Sequence, residues 1–201
     1  AEMALAEVNH RVANSLALVA ALVRLQMSAV NDPAAKDALA ETQGRITAIA
    51  GIHRRLYTTD DVRVVEIDEY LDNLVKEIEA SMGLTSAVSV RLVAEPLRIP
   101  TDKAVSVGVI VNELVTNALK YAYGEGEAGE IRVRLERLGT DRARLLVEDD
   151  GVGWTGEGPS RGSGVGSRVI AATAAGLGSQ LAYDKVARGT RAQLEFSLEN
   201  G

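Results

Sequence analysis

Leu5, Val8, Val12, Leu16, Val19, Val23 and Val30 recur at steps of mostly three and four residues, the repeat of one face of an α-helix. The spacing predicts a long first helix. It ends near Asn31-Asp32-Pro33, where Asp32 has the side chain to cap a second helix and Pro33 suits that helix's first turn. Leu39, Thr42, Ile46, Ile49, Ile52 and Leu56 carry the second helix to the polar break Thr58-Thr59-Asp60-Asp61. Two helices of roughly 25 residues joined by a short turn form an antiparallel hairpin, and two helices alone cannot bury its apolar stripe. A second copy of the chain is the natural cover, so the expected assembly is a homodimer packed as a four-helix bundle.

Past residue 62 the pattern changes. Val62 to Val65 and Ala87 to Ala94 are rich in strand formers, with a helical stretch from about Asp68 to Met82 between them. A further helix is expected from about Asp102 to Tyr123. Alternation then predicts strands over Glu130 to Arg137 and Arg142 to Glu148. A glycine-rich loop follows over 151–166, then a helix over roughly 167–176 and strands near 180–186 and 191–198. The expected fold is α+β: a helical hairpin over residues 1–61, followed over 62–201 by a two-layer α/β sandwich.

Composition narrows the function. The 201 residues are 46% hydrophobic, enough for a packed core, and the net charge of −6 argues against a general electrostatic grip on nucleic acid or an anionic membrane. With no cysteine, thiolate metal sites and cysteine nucleophiles are excluded. No run reaches about 18 uninterrupted apolar residues, so a soluble, cytoplasmic chain without membrane contact is expected. The sequence opens inside a helix, and an upstream sensor domain is expected to be missing from it.

Candidate chemistry lies in three segments. Glu113, Asn117 and Lys120 stand four and three apart, so one helix face presents a carboxylate, an amide and an ammonium, with Asn112 beside them. An amide oxygen is a hard ligand suited to Mg²⁺, and a lysine meets phosphate. Asp149 follows the apolar run Leu145-Leu146-Val147, and a carboxylate there can accept a hydrogen bond from an adenine amino group. Gly151 and Gly153 let backbone approach the base. Gly162-Ser163-Gly164-Val165-Gly166 leads into a helix whose first N–H groups favour phosphate. There is no GxxxxGK[ST]; Gly151, Gly153 and Gly156 match GxGxxG, but Glu157-Gly158-Pro159 follows where that motif needs a helix.

In this order the segments resemble the ATP-binding domain shared by gyrase, Hsp90, MutL and the sensor histidine kinases, the Bergerat type. Asn112 to Lys120 looks like its N box, Asp149 to Gly153 and Gly162 to Gly166 like its two glycine boxes, and Gly189-Thr190 like its final glycine-threonine element. The resemblance implies ATP and Mg²⁺ as ligands. It implies nucleotide contacts from Asn112, Asn117, Lys120, Tyr121, Asp149, Gly151, Gly153, Gly162, Gly164, Val165, Gly166 and Thr190, with Asn117, and Glu113 as a second candidate, at the metal.

His10 lies about 160° around the first helix from Val8 and Val12 and about 120° from Leu16, so it points off the apolar stripe. An exposed neutral imidazole is a workable nucleophile near pH 7. Glu7, His10, Arg11, Asn14 and Leu16 resemble the phosphoacceptor box of the HWE-related bacterial sensor histidine kinases, which implies His10 phosphorylation and transfer to the receiver domain of a response regulator. His53 matches no such box and is expected on the surface. The chain departs from the wider kinase pattern in having no phenylalanine between the glycine boxes, and Trp154-Thr155-Gly156-Glu157 is not a plain WxE. A sister subfamily fits better than strict HWE membership. Glu113 and Glu7 stay open as the acid-base partner of His10. Two rival functions share the nucleotide segments: a phosphotransfer scaffold or regulator phosphatase, and a clamp-type ATPase.

Overall fold

A computed structural model describes residues 2–57, 64–81, 87–155 and 164–199. The chain divides into two compact units, Ala1–Arg63 and Val64–Gly201.

The first unit is a hairpin of α1 (Glu2–Ala29) and α2 (Pro33–Leu56). Asp32 caps α2 as expected, its carboxylate accepting from the Ala35 N–H at 2.9 Å, with Pro33 in the first turn. The packed row of α1 shares part of the expected one, Val12 among its half-buried members, and differs in the rest. Ala13 and Ala20 are buried, with Leu16, Val23, Met27 and Val30 half-buried beside them, whereas Val8 and Val19 are exposed. Aliphatic residues lie on more than one face of α1, and the hairpin closes where small alanines let two helices approach. Leu18, Leu22 and Leu25 remain 63%, 53% and 65% exposed on another face. By length and composition alone, His10–Ala29 is apolar enough to cross a membrane, with a mean hydropathy of 1.4. Here it packs as half of the hairpin.

The second unit runs β1 (Val64–Glu66), α3 (Ile67–Ser81), β2 (Val88–Ala94), β3 (Arg98–Pro100), α4 (Thr101–Tyr121), β4 (Gly129–Leu138), β5 (Arg142–Asp149), α5 (Val165–Gly176), β6 (Ala182–Tyr183) and β7 (Thr190–Ser197). The main sheet has the order β2-β4-β5-β7-β6; β2 and β4 are parallel and the other pairs antiparallel. β1 and β3 form a separate antiparallel pair. Inward residues alternate along the central strands: Ile131, Val133 and Leu135 on β4, Ala143, Leu145 and Val147 on β5, and Ala192, Leu194 and Phe196 on β7 are all buried. Against them α4 turns Val107, Ile110, Val111, Leu114 and Ala118. This is the two-layer sandwich expected, with helices on one face of a mixed sheet.

Candidate functional site

A cavity open to solvent lies between α4 and the sheet. Leu114, Asn117, Ala118, Tyr121 and Ala122 line it from α4, and their spacing of three, four, seven and eight residues puts them on one helix face. Across from them stand Val147 and Asp149 of β5, Thr190 and Ala192 of β7, Tyr183 of β6, and Val152, Gly153 and Trp154 of the loop after β5. Ser167, in the first turn of α5, completes the lining.

Asp149 ends β5 in register with Thr190 and Ile131, so the strands on both sides fix its place. It is buried, and its Oδ1 accepts from the Gly151 N–H at 2.9 Å. Burial raises its pKa above the usual carboxylate range; hydrogen bonds from the Gly151 and Thr190 backbone offset part of that rise. An ionised carboxylate has about four acceptor positions, so two such bonds leave acceptor capacity at the cavity wall.

The loop after Asp149 is held by contacts that only glycine permits. A Cβ at Gly151 would collide with the Ala122 carbonyl at the end of α4, and the next residue, Val152, donates its N–H to that same carbonyl at 2.9 Å. Gly189 has φ of 76°, and a Cβ there would collide with the Asp149 carbonyl. Trp154 is tied down through its N–H to Thr190 Oγ1 at 2.9 Å and meets Tyr183 edge to face at 5.0 Å. Its indole Nε1 is buried with no hydrogen-bond partner among the described residues. Burial pushes the Tyr183 phenol up to about 12, so it is neutral at physiological pH.

A charged frame braces the outer side of this loop. Arg132 grips Asp150 with two nitrogens at 2.7 and 2.8 Å and reaches Glu148 at 3.3 Å, while Arg191 binds Glu148 at 2.9 Å. The Tyr123 hydroxyl accepts from the Asp150 N–H at 3.0 Å and donates to the Glu130 carbonyl at 2.7 Å. The Arg132 hydrogen bonds hold the Asp150 carboxyl below its usual range. At Glu148 burial acts upward, but the bonds from Arg191 and Arg132 together outweigh it and the net shift is down.

Of the residues expected to contact nucleotide, Asn117, Tyr121, Asp149, Gly153 and Thr190 therefore meet around one cavity. Gly151 shapes the loop from behind. Gly164 takes the left-handed conformation that starts α5, followed by exposed Val165 and buried Gly166. Asn112, buried Glu113 and exposed Lys120 lie on α4 outside the cavity lining, and Gly162 lies outside the described residues. Sequence reasoning did not select Trp154, Ser167 or Tyr183. A tryptophan directly after Gly153 was the available signal for the first; Tyr183 carried none, because its strand is two residues long.

In the hairpin His10 is exposed, as expected. Glu7 is bound to Arg11 at 2.6 Å. The expectation for His53 is corrected: its ring is half-buried and stacked on Tyr57 at 5.2 Å, and burial lowers its pKa. The α2 spacing puts Ile52 inward, and the end of the hairpin also covers the neighbouring His53.

Residues 7–82 match the family described as histidine kinase, and residues 102–200 match that of the histidine kinase-, DNA gyrase B-, and HSP90-like ATPases. Blue-light-activated histidine kinase 2 of Erythrobacter litoralis is 28% identical over 207 residues, covering 96% of this chain and 57% of the relative. The sensor histidine kinase PdtaS of Mycobacterium tuberculosis is 32% identical over 151 residues, covering 73% of this chain and 29% of the relative. The chain thus spans little more than half of one curated relative and less than a third of the other. Among solved structures, the histidine kinase domain of an Erythrobacter litoralis blue-light activated histidine kinase superposes with a TM-score of 0.65 at 26% identity, covering 98% of this chain and 94% of that one. The first match spans the helical hairpin and the second the cavity-bearing sheet, and the chain belongs to the sensor histidine kinase family.

Proposed function

We propose that this chain is the cytoplasmic catalytic core of a dimeric sensor kinase: ATP bound in the α4 cavity phosphorylates His10, and the phosphoryl group passes to an aspartate on a response regulator's receiver domain. The observation that carries the reading is Asp149, a buried carboxylate with spare acceptor capacity on a largely apolar wall facing Asn117 and Tyr121. Such a wall suits a planar base with an exocyclic amino group. Residues 1–61 would then be the dimerisation and phosphotransfer hairpin and 62–201 the ATP-binding domain.

The residues fit a magnesium nucleotide. Mg²⁺ keeps several waters and takes few protein ligands alongside phosphate oxygens, so the single amide of Asn117 suffices, with Glu113 one turn earlier. The ion supplies charge neutralisation at the triphosphate. α5 begins beside the cavity at Ser167, and its first N–H groups favour phosphate. Gly162, Gly164, Val165 and Gly166 precede or open that helix; Lys120 and Asn112 flank the α4 face. A ring nitrogen of His10 forms the N–P bond as the bond from the γ-phosphorus to the ADP oxygen breaks. Catalysis rests mainly on positioning and charge stabilisation.

The test is incubation with γ-labelled ATP and Mg²⁺. Acid-labile, base-stable label that is lost in His10→Ala supports the reading; label retained by His10→Ala, or ATP turnover with no labelled protein at all, overturns it.

A further inference from the structure

His10 of α1 and His53, Arg54 and Tyr57 of α2 line one small concavity at the end of the hairpin. Nδ1 of His53 is buried and has no hydrogen-bond partner among the described residues. A neutral imidazole always carries one bare nitrogen, and a buried ring nitrogen left without a partner is costly. Glu7, on the same helix, is already paired with Arg11 at 2.6 Å, which lowers its value as a base for His10. When a neutral His10 becomes an N-phosphoimidazole, the proton on its other ring nitrogen must leave for the product to stay neutral.

We propose that His53 is the base that receives this proton. The lone pair of the attacking His10 nitrogen forms the bond to phosphorus, the phosphorus–oxygen bond to ADP breaks, and the proton of the other His10 nitrogen moves to the bare nitrogen of His53. His53 becomes an imidazolium beside the new phosphoryl group and later returns the proton to solvent. Burial lowers the pKa of His53 and so favours the unprotonated ring that a base must have before the transfer. Arg54 shares the concavity, Tyr57 is stacked on the His53 ring, Arg55 lies on the same end of α2, and Glu7 is paired with Arg11.

This inference rests on His10 being the acceptor, and the two are tested apart. Single-turnover labelling of the whole chain is measured from pH 5 to 8 in the unaltered protein, His53→Gln and His53→Asn, with nucleotide affinity and helical content in parallel. His53→Gln is expected to slow labelling by roughly 100-fold at pH 7 with unchanged nucleotide affinity. The acid limb of the profile is expected to be shallower in the variants than in the unaltered protein, because His53 no longer contributes to it. Labelling within twofold of the unaltered rate in a variant of unchanged helical content, or an acid limb equally steep in the variants and the unaltered protein, overturns the proposal. Absence of label in the unaltered protein is instead the failure of the kinase reading.

Discussion

Glu148, Asp149 and Asp150 stand side by side at the end of β5, yet their surroundings push their acidities apart. Burial raises Asp149, while Arg132 lowers Asp150, and Arg191 with Arg132 lowers Glu148. The signs follow from proton linkage. The folded state binds the Asp149 proton more tightly than the unfolded chain, whose value is near the ordinary 3.8, so ionised Asp149 costs stability above its raised pKa. That cost vanishes as the pH falls through the raised value. Glu148 and Asp150 do the reverse: their contribution is present above their ordinary values of 4.5 and 3.8 and is lost as the pH falls through the lowered ones. Asp149→Asn is therefore expected to raise the thermal midpoint at pH 7, with the gain shrinking on acidification, while nucleotide affinity drops by about tenfold or more. Calorimetry across pH and a nucleotide titration check both arms; an unchanged affinity removes Asp149 from base recognition. Asp149 was legible because an apolar run ended in an acid and a glycine pair. Tyr183 was not, since its place in the cavity comes from strand pairing with Ala192.

At the scale of elements, α4 and the loop after β5 act together. The helix ends with a carbonyl at Ala122 that receives Val152, and Gly151 slides past it where no side chain fits. Gly151→Ala must push the loop off the helix, because the obstacle is backbone on a packed helix rather than a flexible side-chain tip. The expected cost is about 1–3 kcal/mol in urea unfolding, with loss of nucleotide affinity larger than the loss of stability. Equal, small effects on both would show that the loop accommodates the methyl elsewhere. Period and alternation revealed α4, β4, β5 and β7, each long enough for several repeats. β3 escaped them: Arg98–Pro100 has three residues and ends in proline, and its identity as a strand lies in its pairing with β1. The packed row of α1 escaped for another reason, since periodicity weighted by large side chains overlooks the alanines that set helix approach.

For the whole molecule, the two units carry separate halves of the proposed reaction, acceptor in one and donor site in the other. The order of hairpin and sandwich was readable from where helical spacing gave way to alternation. What covers Leu18, Leu22 and Leu25 of α1 was not, because nothing within a single sequence names a partner. The proposed dimer assigns that face to a second copy. Light scattering at micromolar concentration is expected to give twice the chain mass, and Leu22→Glu to halve it, because a buried unpaired carboxylate cannot be tolerated in an apolar helix seam. A monomeric mass for the unaltered chain removes this assembly.

β7 has a consequence for how the protein is made. It is the last strand in sequence but lies inside the sheet, paired with β5 over eight residues on one side and with β6 on the other. It also brings Thr190 and Ala192 to the cavity wall. During synthesis, a nascent chain that has not yet reached this strand leaves the long edge of β5 open and the nucleotide pocket without one side. Pairing across some 45 positions of sequence is slow compared with closing the helical hairpin. The proposed acceptor, His10, is thus in place on the ribosome well before the chain can complete the cavity proposed to hold nucleotide, and premature release is expected to yield a strand-edged, aggregation-prone fragment rather than an unregulated kinase.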